Sequence, residues 1–443
     1  MKKTGFIIIV SLLFQLVNAQ EKQWNLDDCI QYAVEHNPLR TKQEAQNKIY
    51  KQDQREAFGG FLPSLNVNTD AYMNFGRGID PVTNTYISTN TFYNDYSVSS
   101  STKLFDGMSQ IYRTRMAKVN RLQGKNQLQD TKDQIALETM ELFFNVLYYK
   151  GTVGLAKQQL EGSVDSLKKT QRMVDLGIKS IPDLAEIKAQ EAGDRLALTQ
   201  QKNLLDAEIV KLKNKMNFPV SGEFSIVDYD STMIVGKTTD NAVDIYQHAT
   251  SALPRLLASS GAVKSAEMQY KVARGGIFPK LSLVAGISTN FSRMMNNTNF
   301  EPFIEQFKNR RGAYVGFVMS VPIFNGFSAS AEMKRGKQRL IMAQCDDDIL
   351  SRQVYSDIEQ AVADVNGLAD EYLHSHKQTE SMIEAHRVNL RKYQEGLIDA
   401  FEVSNSANRL LNARIEELYT NLKYQLKCEL LKYYKGETSW IYN

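Results

Sequence analysis

Two stretches of the chain are near copies. AFGGFLPSLNV runs from Ala57 to Val67, and ARGGIFPKLSLV runs from Ala273 to Val284. The shared phrase is Gly-Gly-apolar-apolar-Pro-x-Leu. Pro38 precedes Gly59 by the same spacing as Pro254 precedes Gly275. Downstream, TKLFDG (Thr102 to Gly107) is echoed by SVPIFNG (Ser320 to Gly326), and VDLGIKSIPDL (Val174 to Leu184) by YQEGLIDAFEV (Tyr393 to Val403). The landmarks recur in one order, at a period far beyond the roughly 20–50 residues of a solenoid unit. The expectation is a duplicated half-protein, with residues 20–240 as one half and 241–443 as the other.

The first residues, MKKTGFIIIVSLLFQLVNAQ, combine a positive start, an apolar run and a small-residue exit. Residues 1–19 therefore read as a secretory signal cleaved after Ala19. The competing reading is a membrane anchor, but Phe6 to Val17 is shorter than the ~20 residues a spanning helix needs. No Cys follows the exit, and no later apolar run is long enough for a transmembrane helix. Cys29, Cys345 and Cys428 are widely spaced and match neither a metal pattern nor a disulfide framework. A net charge of +3 gives no broad basic face for nucleic acid.

After Gly59-Gly60 and Pro63 the hydrophobic period switches to two. Leu65, Val67, Thr69, Ala71 and Met73 fall on one face, with Asn66, Asn68, Asp70 and Tyr72 on the other. Tyr96, Val98, Ser100, Thr102 and Leu104 alternate with Asp95, Ser97, Ser99, Ser101 and Lys103. The second half repeats the plan, with Leu281, Leu283, Ala285, Ile287, Thr289 and Phe291 on one face, then Ala313, Val315, Phe317, Met319 and Val321. These runs predict strands at about 62–76, 91–105, 280–292 and 311–324. Strands of ~9–11 residues that are apolar on one face suit an outer-membrane barrel. Four strands cannot close a barrel, and an open edge cannot stand in lipid because every backbone group there must be paired. Either several chains share one barrel, or the hairpins are not in a membrane.

Long proline-free stretches follow each hairpin. They predict helices over about 107–216 and 326–434, broken by tips at Gly177 and Gly396. The first arm, at ~1.5 Å per residue, would be roughly 100 Å long. Val146, Val153, Leu160, Leu167 and Val174 recur every seven residues, with Leu142, Tyr149 and Ala156 as companions, which predicts a coiled-coil seam. Leu26 to Phe58 and Asp240 to Arg274 read as further helices, and Asn217 to Thr239 as loop.

With these features the whole mature chain resembles the TolC family of outer-membrane efflux proteins. The Gly-Gly entries, the Phe-Asp/Asn-Gly exits and the Gly-x-x-x-x-x-acid tips carry the likeness. The resemblance implies an α+β membrane protein. It implies that three chains form a homotrimer whose twelve strands make one outer-membrane β-barrel, continuous with a periplasmic α-helical tunnel. It implies a periplasmic adaptor and an inner-membrane pump as partners, and outer-membrane lipid around the barrel. Gly177, Ile178, Gly396 and Leu397 then correspond to adaptor-docking tips. Asp183, Tyr393, Glu402 and Asn405 correspond to the periplasmic entrance. Two of these places depart from the family pattern: the gate arginine falls on Ile398, and a second acid on Asn405. Three copies of Glu402 would still form an acidic ring that favours cations.

No enzyme or cofactor motif is expected. His374 and His376 lie two apart in a helical stretch and point to different faces. The Gly-rich stretches follow helices and start strands, the reverse of a phosphate loop. Asp346-Asp347-Asp348 reads as a solvated charge run, and MMNNTNF as an extracellular turn. The expectation is a passive exit duct for a tripartite efflux or type I secretion system. Its rival is a periplasmic or surface coiled-coil scaffold, which would stay soluble without detergent. A duct for protein or metal rather than small molecules keeps the fold and changes the cargo.

Overall fold

The computed structural model describes residues 23–79, 83–219, 224–227, 235–295 and 300–438. The signal-type segment 1–19 lies outside them. In chain order the elements are β1 (Gln23–Trp24), α1 (Leu26–His36), α2 (Pro38–Gly59), β2 (Ser64–Asn74), β3 (Arg77–Ile79), β4 (Tyr86–Ser88), β5 (Thr91–Phe105) and α3 (Ser109–Asp175). Then come α4 (Ile181–Lys215), β6 (Ser225–Ile226), α5 (Ala242–Ala252), α6 (Pro254–Gly275), β7 (Lys280–Met294), α7 (Phe303–Asn309), β8 (Gly312–Ser320), α8 (Ser328–Gln394) and α9 (Ala400–Lys435). No helix of the described residues is long and apolar enough to cross a membrane. The chain forms two compact units, one of residues 46–125 and 258–348, the other of 1–45, 126–257 and 349–443.

The proline landmarks mark breaks. A residue before proline is driven out of the helical region. Asn37 accordingly sits at ψ 128° before Pro38, and Leu253 at ψ 118° before Pro254. The expected helices Leu26 to Phe58 and Asp240 to Arg274 are each divided there, into 11 and 22 residues both times.

The first unit carries a four-stranded antiparallel sheet ordered β2-β5-β7-β8. The register sorts its faces. Val67 lies opposite Val98, Val98 opposite Ile287, and Ala285 opposite Val315, so aliphatics line one face. On the other face Asn68 meets Ser97, and Asp70 meets Asp95 beside Asn290. β2 and β8 are open edges. Val67 and Val315 on the apolar face are 73% and 75% exposed, so that face is uncovered at both edges.

Helices enter and leave this sheet at one end, and the Gly-Gly phrase is explained there. A Cβ on Gly275 would lie 2.0 Å from Ser109 Oγ and 2.8 Å from Gly107 O; one on Gly60 would strike the Gln110 side chain. Both glycine pairs let a strand entry pass close to the start of α3. The Phe-Asp/Asn-Gly exits are turns with two successive positive φ values: Gly107 at 68° and Met108 at 69°, then Gly326 at 60° and Phe327 at 65°. A positive φ carries a Cβ penalty that glycine escapes, which suits Gly107 and Gly326 to these turns.

The second unit has two apolar cores. One gathers Ile30, Ile135, Met140, Phe143, Val146 and Leu212; the other gathers Ile245, Val354, Ile358, Val365, Leu368 and Tyr424. Within the segment read as loop, β6 pairs in parallel with β1, and Trp24 packs against Phe218 and Phe224. On α8, Val354, Ile358, Ala361, Val365, Leu368, Ser375 and Thr379 are buried at spacings of three, four and seven, so a heptad seam is present. On α3 the expected seam holds at Val146 and Ala156, which are buried, and is shifted towards the tip. Val153, Leu160, Leu167 and Val174 are only half-buried, whereas Thr152, Ala156, Ser163 and Thr170 are buried. Small and hydroxyl side chains occupy the closest line because they let the helices approach, and the larger aliphatics flank it.

Candidate functional site at the helical tips

The tips are built by helix-ending chemistry. Gly177 has φ 75° and Gly396 φ 79°, the left-handed geometry that ends a helix at Gly. Gly177 N donates to Val174 O at 2.9 Å and Ile178 N to Met173 O at 2.8 Å; Gly396 N and Leu397 N donate to Tyr393 O at 3.1 Å and Lys392 O at 2.9 Å. This is a Schellman motif twice over. It leaves Ile178 and Leu397 64% and 68% exposed. Three residues that the sequence pattern did not single out join them as exposed apolar groups: Leu176, Ile181 and Phe401.

Asp183 has two tasks. It closes the N-terminal turn of α4 with Ser180, whose Oγ donates to Oδ2 at 2.7 Å while Asp183 N donates back to that Oγ at 3.2 Å. Its Oδ1 accepts from Ala400 N, the first residue of α9, at 3.1 Å. The carboxyl is held below its ordinary range, chiefly by the Ser180 hydroxyl and also by the Ala400 amide. Asp399 caps α9 in the same manner, accepting from Glu402 N at 3.0 Å. Glu402 itself is exposed, and Asn405 is half-buried on the following turn.

Tyr393 is 4% exposed. Its hydroxyl pairs with Thr170 Oγ1 at 3.0 Å rather than with Asp183, and burial pushes the phenol up. Lys179 Nζ stands 4.0 Å from the centre of the Tyr393 ring and donates to Ile398 O at 3.4 Å. A cation thus reaches the Ile398 position from the opposite hairpin, through the backbone. The Ile398 side chain packs with Ile187, Tyr393, Ala400 and Val403. Sequence spacing could not find Lys179, because its target is a carbonyl and a ring more than two hundred positions away.

Above the tips the hairpins meet through polar groups. Gln190 and Asn408 exchange two amide hydrogen bonds, at 3.0 and 3.3 Å. A cavity of about 250 Å³ is lined by Gln159, Ser163, Gln190, His386, Ser404 and Arg414, among others. His386 Nδ1 lies 2.9 Å from Ser406 Oγ, and burial, then Arg414, lowers its basicity. Asp194 is 5% exposed, and burial raises its carboxyl against the pull of Ser163, Gln190 and Gln159. His374 is exposed, while His376 binds Glu417 at 2.6 Å.

Residues 245–434 match the family described as "Outer membrane efflux protein". The chain is 22% identical to outer membrane protein TolC of Escherichia coli over 433 residues, covering 94% of this chain and 84% of that one. It is 20% identical to outer membrane efflux protein BepC of Brucella suis over 394 residues, covering 86% and 79%. Among solved structures it is similar to CusC, with TM-score 0.80, 15% identity and coverage of 95% and 96%. It is also similar to the CmeC outer membrane channel of Campylobacter jejuni, with TM-score 0.80, 13% identity and coverage of 96% and 92%.

Proposed function

We propose that the chain is a TolC-like outer-membrane efflux protein, as the family match over residues 245–434 and the similarity to TolC along most of the chain support, and that it is the passive exit duct of a tripartite efflux or type I secretion system. The observation that carries this reading is the sheet with two open edges. β2 and β8 expose apolar side chains beside unpaired backbone, and in hydrocarbon each such group must find a partner. Three copies of four strands would join β8 of one to β2 of the next and close a twelve-stranded barrel. The helical unit would then line the periplasm. An adaptor would dock on Gly177, Ile178, Gly396 and Leu397, extended by Leu176, Ile181 and Phe401. Asp183, Tyr393, Glu402 and Asn405 would lie at the entrance. Lys179, bound to Tyr393 and to Ile398 O, would serve as the tie that an arginine at Ile398 would otherwise supply. Energy for transport would come from the pump.

Detergent-purified protein in a planar bilayer tests the reading, with its oligomeric mass measured by light scattering. A trimer giving discrete conductance is expected, with cation preference reduced in Glu402→Ala. A protein that stays soluble and monomeric without detergent, and conducts nothing, sinks it.

A further inference from the structure

The seven-residue helix α7 occupies an unusual place on the sheet. Thr289 and Tyr96 are register partners on the apolar face, in line with Ile287 and Val98. α7 lies against that face. Thr289 Oγ1 donates to Phe307 O at 2.9 Å, Phe303 sits 5.4 Å from Phe291, and Phe307 sits 5.5 Å from Tyr96, ring to ring. Gln306, 1% exposed, accepts from Ser292 N at 2.9 Å and donates to Ser292 O at 3.1 Å. It replaces a strand partner for β7 beyond Ser288, where the pairing with β8 stops.

The outer side of this strap is mixed in a particular way. Phe300, Phe303 and Ile304 are 38%, 40% and 58% exposed. The same segment and the end of β7 carry Arg293, Lys308, Arg310 and Arg311, and none forms an ion pair among the described residues. Arg293 lies over the Phe300 ring at 4.4 Å, Arg310 donates to Ser292 Oγ at 2.7 Å, and Arg311 donates to Lys308 O at 2.9 Å. The nearby acids are fewer: Glu301 accepts from Asn309 at 2.8 Å, and Glu305 is exposed. The strap stands at the end of β7 opposite the α6 junction. On the barrel reading, with the helices in the periplasm, that end is the extracellular one.

We propose that the Phe300–Arg311 strap is a binding site for the phosphorylated glycolipid of the outer leaflet, with Phe300, Phe303 and Ile304 among the acyl chains and Arg293, Lys308 and Arg311 on the phosphates. This rests on the barrel reading. Exposed aromatics at a barrel rim match the interfacial girdle, and cations beside them complement an anionic headgroup. A strap made only to cover the sheet would need neither the outward apolar groups nor the excess of cations.

Native mass spectrometry of the detergent-purified protein, titrated with bisphosphorylated lipid A, tests the site. The triple variant R293Q/K308Q/R311Q leaves Arg310 on Ser292 and should bind at least about tenfold more weakly, since each cation near an anionic surface contributes appreciably. Lipid A stripped of phosphate should bind wild type no better than lipid A binds the variant. I304Q should weaken binding without lowering the melting temperature. Equal affinity of wild type and triple variant overturns the proposal, as does equal affinity for the dephosphorylated lipid. Phosphatidylglycerol bound as tightly as lipid A overturns the assignment to the glycolipid. The barrel reading fails separately, before any lipid is added, if the protein needs no detergent.

Discussion

Tyr393→Phe is the cleanest probe of the tip. It removes one oxygen and keeps the ring that Lys179 stands over, because a cation also binds a phenylalanine face. What it breaks is the pair between the Tyr393 hydroxyl and Thr170, which is 0% exposed. A typical hydrogen bond contributes about 1 kcal/mol, and an orphaned buried hydroxyl costs ~1–3 kcal/mol. Thr170 can turn its hydroxyl to a carbonyl of its own helix, so the lower end applies, about 1–2 kcal/mol per chain. If three chains part together, the closed state loses ~3–6 kcal/mol, which raises open probability on the order of a hundredfold or more, since 1.4 kcal/mol is a factor of ten. Single-channel recording reads this directly. The double variant T170V/Y393F removes both polar partners and should lie closer to wild type than Y393F, as apolar replacement of a whole pair is nearly neutral. A folded Y393F channel with wild-type gating refutes the reasoning. So does a double variant worse than both single variants.

Four further outcomes are expected. Lys179→Met should raise open probability by removing a cation–ring contact worth ~0.5–2 kcal/mol, and unchanged recordings would dismiss Lys179 as a tie. Leu397→Asp changes an exposed side chain, so the melting temperature should hold while export in cells is lost; normal export sinks the docking surface. Gly275→Val should lower the yield of folded protein sharply, whereas Gly59→Ala, with nothing within 4 Å, should be tolerated; equal yields would contradict the close approach to Ser109. Asp133 is 7% exposed and burial pushes its carboxyl up to about 6, so its ionisation opposes folding. Because the folded state holds the proton more tightly, that penalty is absent below the ordinary value of 3.8, grows as pH rises, and is complete above about 6. Asp133→Asn should therefore raise the melting temperature at pH 7.5, with an effect on the order of 3 kcal/mol, and not at pH 3.5. An equal difference at both pH values contradicts the assignment.

Strand positions were legible because period-two alternation is a local signal. The alternation from Leu65 onwards corresponds to β2 at Ser64–Asn74, and that around Val98 to β5 at Thr91–Phe105. The break at Pro38 was readable for the equally local reason that proline constrains its predecessor, and the same rule, not applied at Pro254, divides the helix there. The α3 seam was right at Val146 and Ala156 and misplaced at Val153, Leu160, Leu167 and Val174, because hydrophobicity was read as burial. The closest positions are Thr152, Ala156, Ser163 and Thr170, whose small size decides the contact. β6 was missed since two residues carry no periodicity, and its pairing with Gln23–Trp24 is set by packing around Trp24. Within the site, Gly177 and Gly396 were readable as turn glycines. Lys179 and Thr170 were not, because their partners are named by the fold alone.

The change in the character of the α8 seam along its length bears on where the helices can separate. From Val354 to Leu368 the seam is aliphatic and belongs to a continuous apolar core. From Ser375 polar contacts enter it, Ser375 with Thr420 at 3.0 Å, Thr379 with Ala413 O at 3.1 Å, and His386 with Ser406 at 2.9 Å, before the small apolar cluster of Leu390, Tyr393, Ala400 and Val403 at the tip. Separating aliphatic surface costs about 25 cal/mol per Å² with nothing in return. Separating hydroxyl and amide pairs exchanges them for water at a net ~1 kcal/mol each. The polar stretch also encloses the 250 Å³ cavity, into which Ser404 brings a hydroxyl that has no protein partner. Water can therefore enter that stretch ahead of any rupture of the aliphatic core. If the helices part anywhere, the tip end, with its smaller apolar cluster and its hydrogen bonds from Ala400 N to Asp183 and between Thr170 and Tyr393, is the end where parting costs least.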